Sequence, residues 1–282
     1  MRINHNVPAM IGQGSLHGQQ ASLNKSLEKL STGLRINRAS DDAAGLSVSE
    51  SLRARVRGMG RAKANAEDGV ALLQIAEGAT GEINNILQRM RELAIQSATD
   101  TMTTTERSYT DKEFGQLQNE ITRISGSASY NGLTLLDGAA GSFGVSGGNA
   151  SVLHIGSGSN AAIDRISITI SSMTLGALGV NNAGVSTSAS ALSALSTIDL
   201  AIKSVNTMRS DMGAYVNRLE FAVSNLSNQI YNTQDAESRI RDVDFAKETT
   251  EFTRAQILTQ SATAMLAQAN QVPQSVLQLI GR

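Results

Sequence analysis

The chain has 282 residues, with 24 Lys and Arg against 25 Asp and Glu, a formal net charge of −1 and a pI of about 6.3. This balance gives no basis for a nucleic-acid or anionic-membrane surface built on net positive charge. The absence of cysteine excludes disulfides and thiolate metal sites, and 3% aromatic content without Trp favours slender helix-on-helix seams over an aromatic-filled globular core.

The first residues, MRINHNVPAMIGQGSL, contain no continuous apolar run of the length a secretory signal requires. No stretch approaches the ~20 apolar residues of a membrane span. Neither a cleaved signal nor membrane insertion is therefore expected. Pro8, Gly12, Gly14 and Gly18 make this segment a poor isolated helix, expected to be ordered only against a partner. Leu23, Leu27, Leu30 and Leu34 then recur at spacings of four, three and four, one apolar stripe of a helix.

The stretch TGLRINRASDDAAGL follows. It combines Gly33, Asn37, Asp41, Asp42 and Gly45, which favour turns and caps, with Arg35 and Arg38, whose forked donors suit carboxylates on a neighbour. It reads as a joint, the alternative being a solvated charged loop. From Leu46 to about Thr99 the pattern is helical, with one apolar row through Leu52, Val56, Met59, Ala66, Val70 and Leu73. A second row runs through Leu72, Ala76, Ala79, Ile83, Ile86, Met90 and Leu93. The offset between them is the drift of a 3.6-residue helix against a heptad. A helix of this length extends roughly 80 Å, which suits coiled-coil packing against another helix.

The polar stretch TDTMTTTERSYT ends that helix. A shorter one places Phe114, Leu117, Ile121 and Ile124 on one face, and Tyr130-Asn131-Gly132 signals a turn. Residues 138–190 are rich in Gly and Ser, with strand character at Val152–Ile155 and Ile166–Ile170, a small β region or, alternatively, a flexible linker. Helix resumes near Ala191, with Leu195, Ile198, Ile202 and Val205 and then Met208, Met212, Tyr215, Leu219, Ala222 and Leu226 in line. DAESRIRDVD is a charged break. The last segment is amphipathic, through Phe252, Ile257, Leu258, Met265, Leu266, Val276, Leu277, Leu279 and Ile280.

The architecture is thus palindromic: apolar arm, charged joint, long helix and variable middle, then long helix, charged joint and apolar arm. Each end leaves an apolar face that one copy covers poorly, and covering it head-to-tail with other copies gives an open helical filament. The fold class is mainly α, a long antiparallel coiled-coil bundle of the N- and C-terminal halves with a small β-containing centre. No catalytic, cofactor or metal constellation stands out. His5, His17 and His154 lack metal spacing, the middle between Gly138 and Ala191 has no Glu, and Gly147-Gly148 and Gly156-Ser157-Gly158 lack the Lys and context of a phosphate loop. Ser and Thr from Ser142 to Ser196 could accept glycans.

Both ends resemble the bacterial flagellins. The resemblance rests on the start MRINHN, on LSTGLRINRA with DDAAGL, on Leu87–Ala94 (LQRMRELA), on Ala236–Asp244 (AESRIRDVD) and on Met265–Asn270 (MLAQAN). It spans roughly residues 1–137 and 191–280. It implies a structural, non-enzymatic subunit that is exported unfolded by the flagellar type III apparatus, without a cleaved signal, and polymerises into a motility filament. The flagellum would be extracellular, or periplasmic. The alternative is a hook–filament junction adaptor or another secreted helical binding protein with the same ends. Residues 1–45 and 235–282 would form an inner tube, 46–137 and 191–234 the surrounding core, and 138–190 an outward-facing region.

The resemblance also implies residue roles and partners. Arg35, Arg38, Asp41 and Asp42, with Glu237, Arg239, Arg241 and Asp242, would form the assembly junction. Leu23, Leu27, Leu30, Leu34, Phe252, Ile257, Leu258, Met265, Leu266, Leu277 and Ile280 would pack the arms. Gln88, Arg89 and Leu93, with Glu120 on the next helix, match the segment read by the vertebrate innate-immune flagellin receptor. Leu93 has core packing, and Arg89 a subunit–subunit salt bridge, as the alternative role. The implied partners are other copies, the export machinery, an export chaperone on the C-terminal arm, and cap and hook-junction proteins.

Overall fold

The structure, a computed structural model, describes the backbone of residues 5–138, 143 and 151–280, and side chains as far as residue 271. Residues 139–142 and 144–150 of the expected Gly/Ser-rich middle lie outside the described residues, as do the side chains of Leu277 and Ile280. The chain divides into two compact units, one of Arg57–Tyr231 and one of Met1–Val56 with Asn232–Arg282.

The Arg57–Tyr231 unit is built on three helices: α2 (Ala43–Ala98), α3 (Thr104–Ser127) and α5 (Ser188–Arg241). The pairs Glu77–Arg209 and Arg91–Asp199 climb α2 as they descend α5, so the two run antiparallel. The Arg89–Glu113 pair and the Ser97–Thr110 hydroxyl bond give α2 and α3 the same antiparallel relation. On α2 the buried row is Met59, Ala62, Ala66, Gly69, Leu73, Ala76, Thr80, Ile83, Leu87, Met90, Ala94 and Ser97, alternating three and four throughout. Leu72 and Leu93, one position off this row, are buried as well, and Val70, Ala79 and Ile86 pack against the core, so both expected rows are lined. Gly69, Thr80 and Ser97 occupy seam positions that an apolar-only count skips, and with them the repeat is a continuous heptad. Thr80 answers its buried hydroxyl by donating to the Ala76 carbonyl at 2.5 Å, and Ser97 by its bond to Thr110 at 2.7 Å. On α5 the same alternation runs through Ala191, Ala194, Ile198, Ala201, Val205, Met208 and Met212 to Leu219 and Leu226.

The polar stretch Thr99–Thr110 ends α2 as expected, at Ala98, but from Thr104 it is already helical. Thr103 and Glu106 form a reciprocal capping box, the Thr103 side chain accepting from the Glu106 amide while Glu106 accepts from the Thr103 amide at 2.8 Å. Beyond α3, the strands β1 (Ser129–Tyr130) and β2 (Leu133–Thr134) pair across Asn131 and Gly132, which have φ values of 50° and 80°. Two left-handed residues in a two-residue loop match the twist of a hairpin, and Asn-Gly meets that demand at least steric cost. The strands β3 (Ser151–His154) and β4 (Arg165–Ile168) form a second antiparallel hairpin whose Ile166 and Ile168 enter the core. A single helical turn, α4 (Leu175–Leu178), follows and buries Leu178.

In the second unit, α1 (Val7–Thr32) lies antiparallel to α6 (Phe245–Ile280). Asn6 donates to the Ala269 carbonyl at 3.0 Å near one end, and Lys29 meets Glu248 at 3.5 Å near the other. The partner that orders the N-terminal arm here is the chain's own C-terminal arm. Asn6 caps α1 by accepting from the Ala9 amide, and Pro8 stands in the first turn, where its missing N–H costs nothing. Gly33, with φ of 73°, ends α1 in the left-handed conformation that glycine adopts most readily.

Candidate assembly joint and arm face

The joint begins where α1 ends. Residues 33–35 lie against 241–243: the Arg35 amide donates to the Arg241 carbonyl at 2.6 Å and the Val243 amide to the Gly33 carbonyl at 3.0 Å, framing an isolated bridge between Leu34 and Asp242. The Arg35 guanidinium also donates to the Ile240 carbonyl. These backbone links were not visible as charge patterns.

The expected break at DAESRIRDVD is a correction. The helix α5 continues to Arg241, because the stretch contains neither Gly nor Pro and Arg239 supports it with an i,i+4 pair to Asp235 at 2.9 Å. The true break is Asp242–Asp244. There Asp242 accepts from the Ser238 hydroxyl at 2.6 Å, and Asp244 caps α6 by accepting from the Ala246 and Lys247 amides.

The joint charges divide. Arg241 pairs with Glu50 at 2.5 Å, its side chain 12% exposed and its Nε buried without a partner. Arg53 lies 3.6 Å from Glu50 and 3.8 Å from Glu237, so four charges of alternating sign form one chain. Asp41 binds Lys25 at 2.8 Å and accepts from the Asn37 and Arg38 amides. The Lys25 hydrogen bond, followed by those amides, holds the Asp41 carboxyl below its usual value against a desolvation penalty. Asp42 caps α2 by accepting from the Gly45 amide at 2.8 Å. A Cβ on Gly45 would collide with that carboxylate and lie 2.8 Å from Ile36 Cδ1, so the glycine is required for the close approach. Arg38 reaches Glu28 at 3.1 Å on the surface, and Arg239 points along its own helix. Sequence reasoning missed Lys25, Glu50 and Ser238. The i,i+4 spacing of Ser238 and Asp242 and the i,i+3 spacing of Glu50 and Arg53 are local signals, whereas the Glu50–Arg241 contact joins residues far apart in sequence.

The arm seam differs from the expected leucine stripe. Among the described residues, a row of buried and half-buried positions runs along α1 through Ala9, Gly12, Leu16, Gln19, Leu23, Ser26 and Leu30, and along α6 through Glu248, Phe252, Ala255, Thr259, Ala262, Leu266 and Ala269. Both rows alternate three and four, and most members are small or polar. An added Cβ on Gly12 would lie 3.3 Å from Leu266 Cδ1. Among the expected packing residues, Leu23, Leu30, Leu34, Phe252 and Leu266 are half-buried, whereas Leu27, Ile257, Leu258 and Met265 are exposed. Val7, Met10 and Ile11 are exposed as well, Ile11 at 69%.

On α2, Gln88 and Arg89 are exposed, while Leu93 is 1% exposed and belongs to the core, so it offers no surface to a receptor. Arg89 donates to Glu113 and Glu92, and these bonds, Glu113 first, raise its already high pKa. Its ion pairs are thus made within the chain. Glu120 is held by Arg123 at 2.6 Å, which lowers the carboxyl pKa.

Long antiparallel helices, a backbone-zipped joint and arms with unused apolar surface define a structural protein built for self-association. A family model described as the bacterial flagellin N-terminal helical region matches residues 3–140, and one described as the bacterial flagellin C-terminal helical region matches residues 195–280. A flagellar filament 33 kDa core protein of Treponema phagedenis is 46% identical over 99% of this chain and 100% of its own length, and a flagellin of Halalkalibacterium halodurans is 45% identical over the same shares. The crystal structure of Bacillus cereus flagellin aligns with a TM-score of 0.50 and 30% identity, over 58% of this chain and 88% of that one. The chain belongs to the bacterial flagellin family. It is a structural subunit of the flagellar filament, in an extracellular or periplasmic flagellum, and its partners there are further copies.

Proposed function

We propose that the chain leaves the cell unfolded through the flagellar type III apparatus and assembles through the α1–α6 arm pair. Residues 1–45 and 235–282 then form the inner tube, 46–137 and 191–234 the surrounding core, and 138–190 the outward-facing region. The observation that carries this reading is the exposed apolar set of the arms, Val7, Met10 and Ile11 on α1 with Ile257 and Met265 on α6. Side chains of this kind each release about 1.5–3 kcal/mol on full burial, and a neighbouring copy is the natural means of burying them in a polymer. The absence of cysteine suits a chain that must pass an exporter with no cross-links. An export chaperone would cover the α6 face before export, and cap and hook-junction proteins would meet the filament ends. Salt-induced assembly of purified protein, viewed by electron microscopy, tests the proposal. Long filaments support it, and persistent monomer would favour a junction adaptor.

The exposure of Gln88 and Arg89 beside half-exposed Glu120 supports a second role, contact with the vertebrate innate-immune flagellin receptor by released monomer. A cell reporter assay comparing monomer, filament and Arg89→Ala monomer tests it. Equal signalling by all three would contradict it.

A further inference from the structure

Methionine is distributed unevenly between the two units. Met59, Met90, Met173, Met208 and Met212 are all at most 4% exposed, whereas Met10 and Met265 are 64% and 68% exposed. Met102 is half-buried. Met208 is engaged further, its sulfur accepting from the Ser171 amide at 3.4 Å. Among the described residues, the two open thioethers are both on the arm pair, one on each helix, among the apolar residues that the seam leaves uncovered. Nothing in the α1–α6 seam requires sulfur at these positions, since both side chains point away from it. A flexible, polarisable side chain at an apolar contact adapts to its neighbour, and it is also the side chain most open to two-electron oxidation in a chain without cysteine.

We propose that Met10 and Met265 are peroxide-sensitive sites that control whether a subunit can enter the filament. The proposal rests on the reading that other copies cover the arm face. In the free chain, a sulfur lone pair attacks one oxygen of hydrogen peroxide. The S–O bond forms, the O–O bond breaks, and the departing hydroxide takes the remaining proton and leaves as water. Sulfur loses two electrons, and the two peroxide oxygens gain one each. The resulting sulfoxide is a strong acceptor on a formerly apolar side chain, and burying it against a second copy without a donor is unfavourable. In the assembled filament the same sulfurs are covered and react slowly. The chemistry is reversible by a sulfoxide reductase, so an oxidised subunit is withheld from assembly without being destroyed.

The test is internal competition. Purified monomer is partly oxidised with hydrogen peroxide, freed of oxidant and induced to assemble. Peptide mass spectrometry then compares sulfoxide at each methionine in pelleted filament and in supernatant. Oxidation is expected first at Met10 and Met265, with both sulfoxides several-fold depleted from the pellet. Filaments treated after assembly should show both sites protected. A Met10→Leu, Met265→Leu chain, which keeps apolar volume without sulfur, should assemble equally well with and without pretreatment. Equal sulfoxide content in pellet and supernatant would overturn the proposal and leave the polymer standing. Failure of the untreated protein to assemble would overturn the polymer reading and the proposal together.

Discussion

The Arg57–Tyr231 unit and the arm pair are both held by antiparallel helices with heptad seams, yet they fill those seams with different side chains. In the first, Leu73, Ile83, Leu87, Met90, Phe114 and Ile121 are at most 1% exposed, and α3 and the β3–β4 hairpin close over them. In the second, the least exposed of the described residues on the arm helices are Ser26, Glu248 and Ala255, at 6–9%, while Ile11, Ile257 and Met265 face outward. A seam in which Gly, Ala, Ser and Thr alternate with only half-buried Leu and Phe removes little apolar surface from water, and an isolated helix pair with so little burial is marginal. Both units expose apolar side chains, Ile163, Leu200 and Phe221 on the first and Ile11 and Met265 on the second, but only the first closes an extended apolar core within one copy. That difference is what a subunit that must travel unassembled and then polymerise requires.

The comparison breaks most visibly by deletion. Removing Phe245–Arg282 is expected to abolish filaments entirely, as seen by electron microscopy, while the thermal transition of the Arg57–Tyr231 helices persists in circular dichroism. A smaller effect distinguishes the two kinds of apolar residue. Phe114→Ala should cost about 3–5 kcal/mol of monomer stability in denaturant titration, as large-to-small core changes do. Ile257→Ala, at an exposed position, should stay within about 0.5 kcal/mol and yet reduce filament yield. Matching stability losses would show that the two units are not energetically distinct.

Much of this division could be read from sequence, and its failures share one cause. The apolar rows of α2 and α5 located both long helices because Leu, Ile and Met recur there at helical spacing. The Asn131-Gly132 turn and the ISITI strand were legible because backbone conformation and pleat each impose a local chemistry. Polarity was misread as irregularity in two places. Residues 99–103 do end α2, but Thr104–Thr110 is helical because Thr103 and Glu106 cap it, and DAESRIR is helical because nothing in it breaks a helix. The arm seam is only partly legible: Leu23, Leu30, Phe252 and Leu266 lie in it, but its small members carry no apolar signal, and counting leucines also selects Leu27, which is 55% exposed. At the joint, the charged residue types stand out in the sequence, but their partners lie 191 positions apart for Arg241 and Glu50 and 205 for Arg35 and Ile240, and no local pattern encodes such a pairing.

Two further changes sharpen the picture at the joint. Arg241→Glu should lower filament yield more than Lys203→Glu, because Arg241 is buried against Glu50 whereas Lys203 is exposed on α5. Exposed pairs contribute only about 0–1 kcal/mol, so similar yields from both variants would mean that the Arg241 pair is no more than solvated charge. The smallest expected effect is in pH. The Asp41 carboxyl is depressed in the folded chain by Lys25 and two amides. Its contribution is therefore present above the unfolded carboxylate pKa and lost as pH falls through the lower folded value. An NMR titration should place its midpoint below that of an ordinary aspartate, and Lys25→Met should move it upward. An unmoved midpoint would remove Lys25 as the cause.

Amide hydrogen exchange, followed by mass spectrometry on monomer and on filament, tests the contrast between the two units most directly. Peptides from Leu72 to Ala98 and from Ala191 to Leu219 should be protected in both states, whereas α1 and α6 should exchange rapidly in the monomer and become protected only in the filament. Protection of α1 and α6 in the free monomer equal to that in the filament would contradict the claim that the arms depend on other copies for their stability.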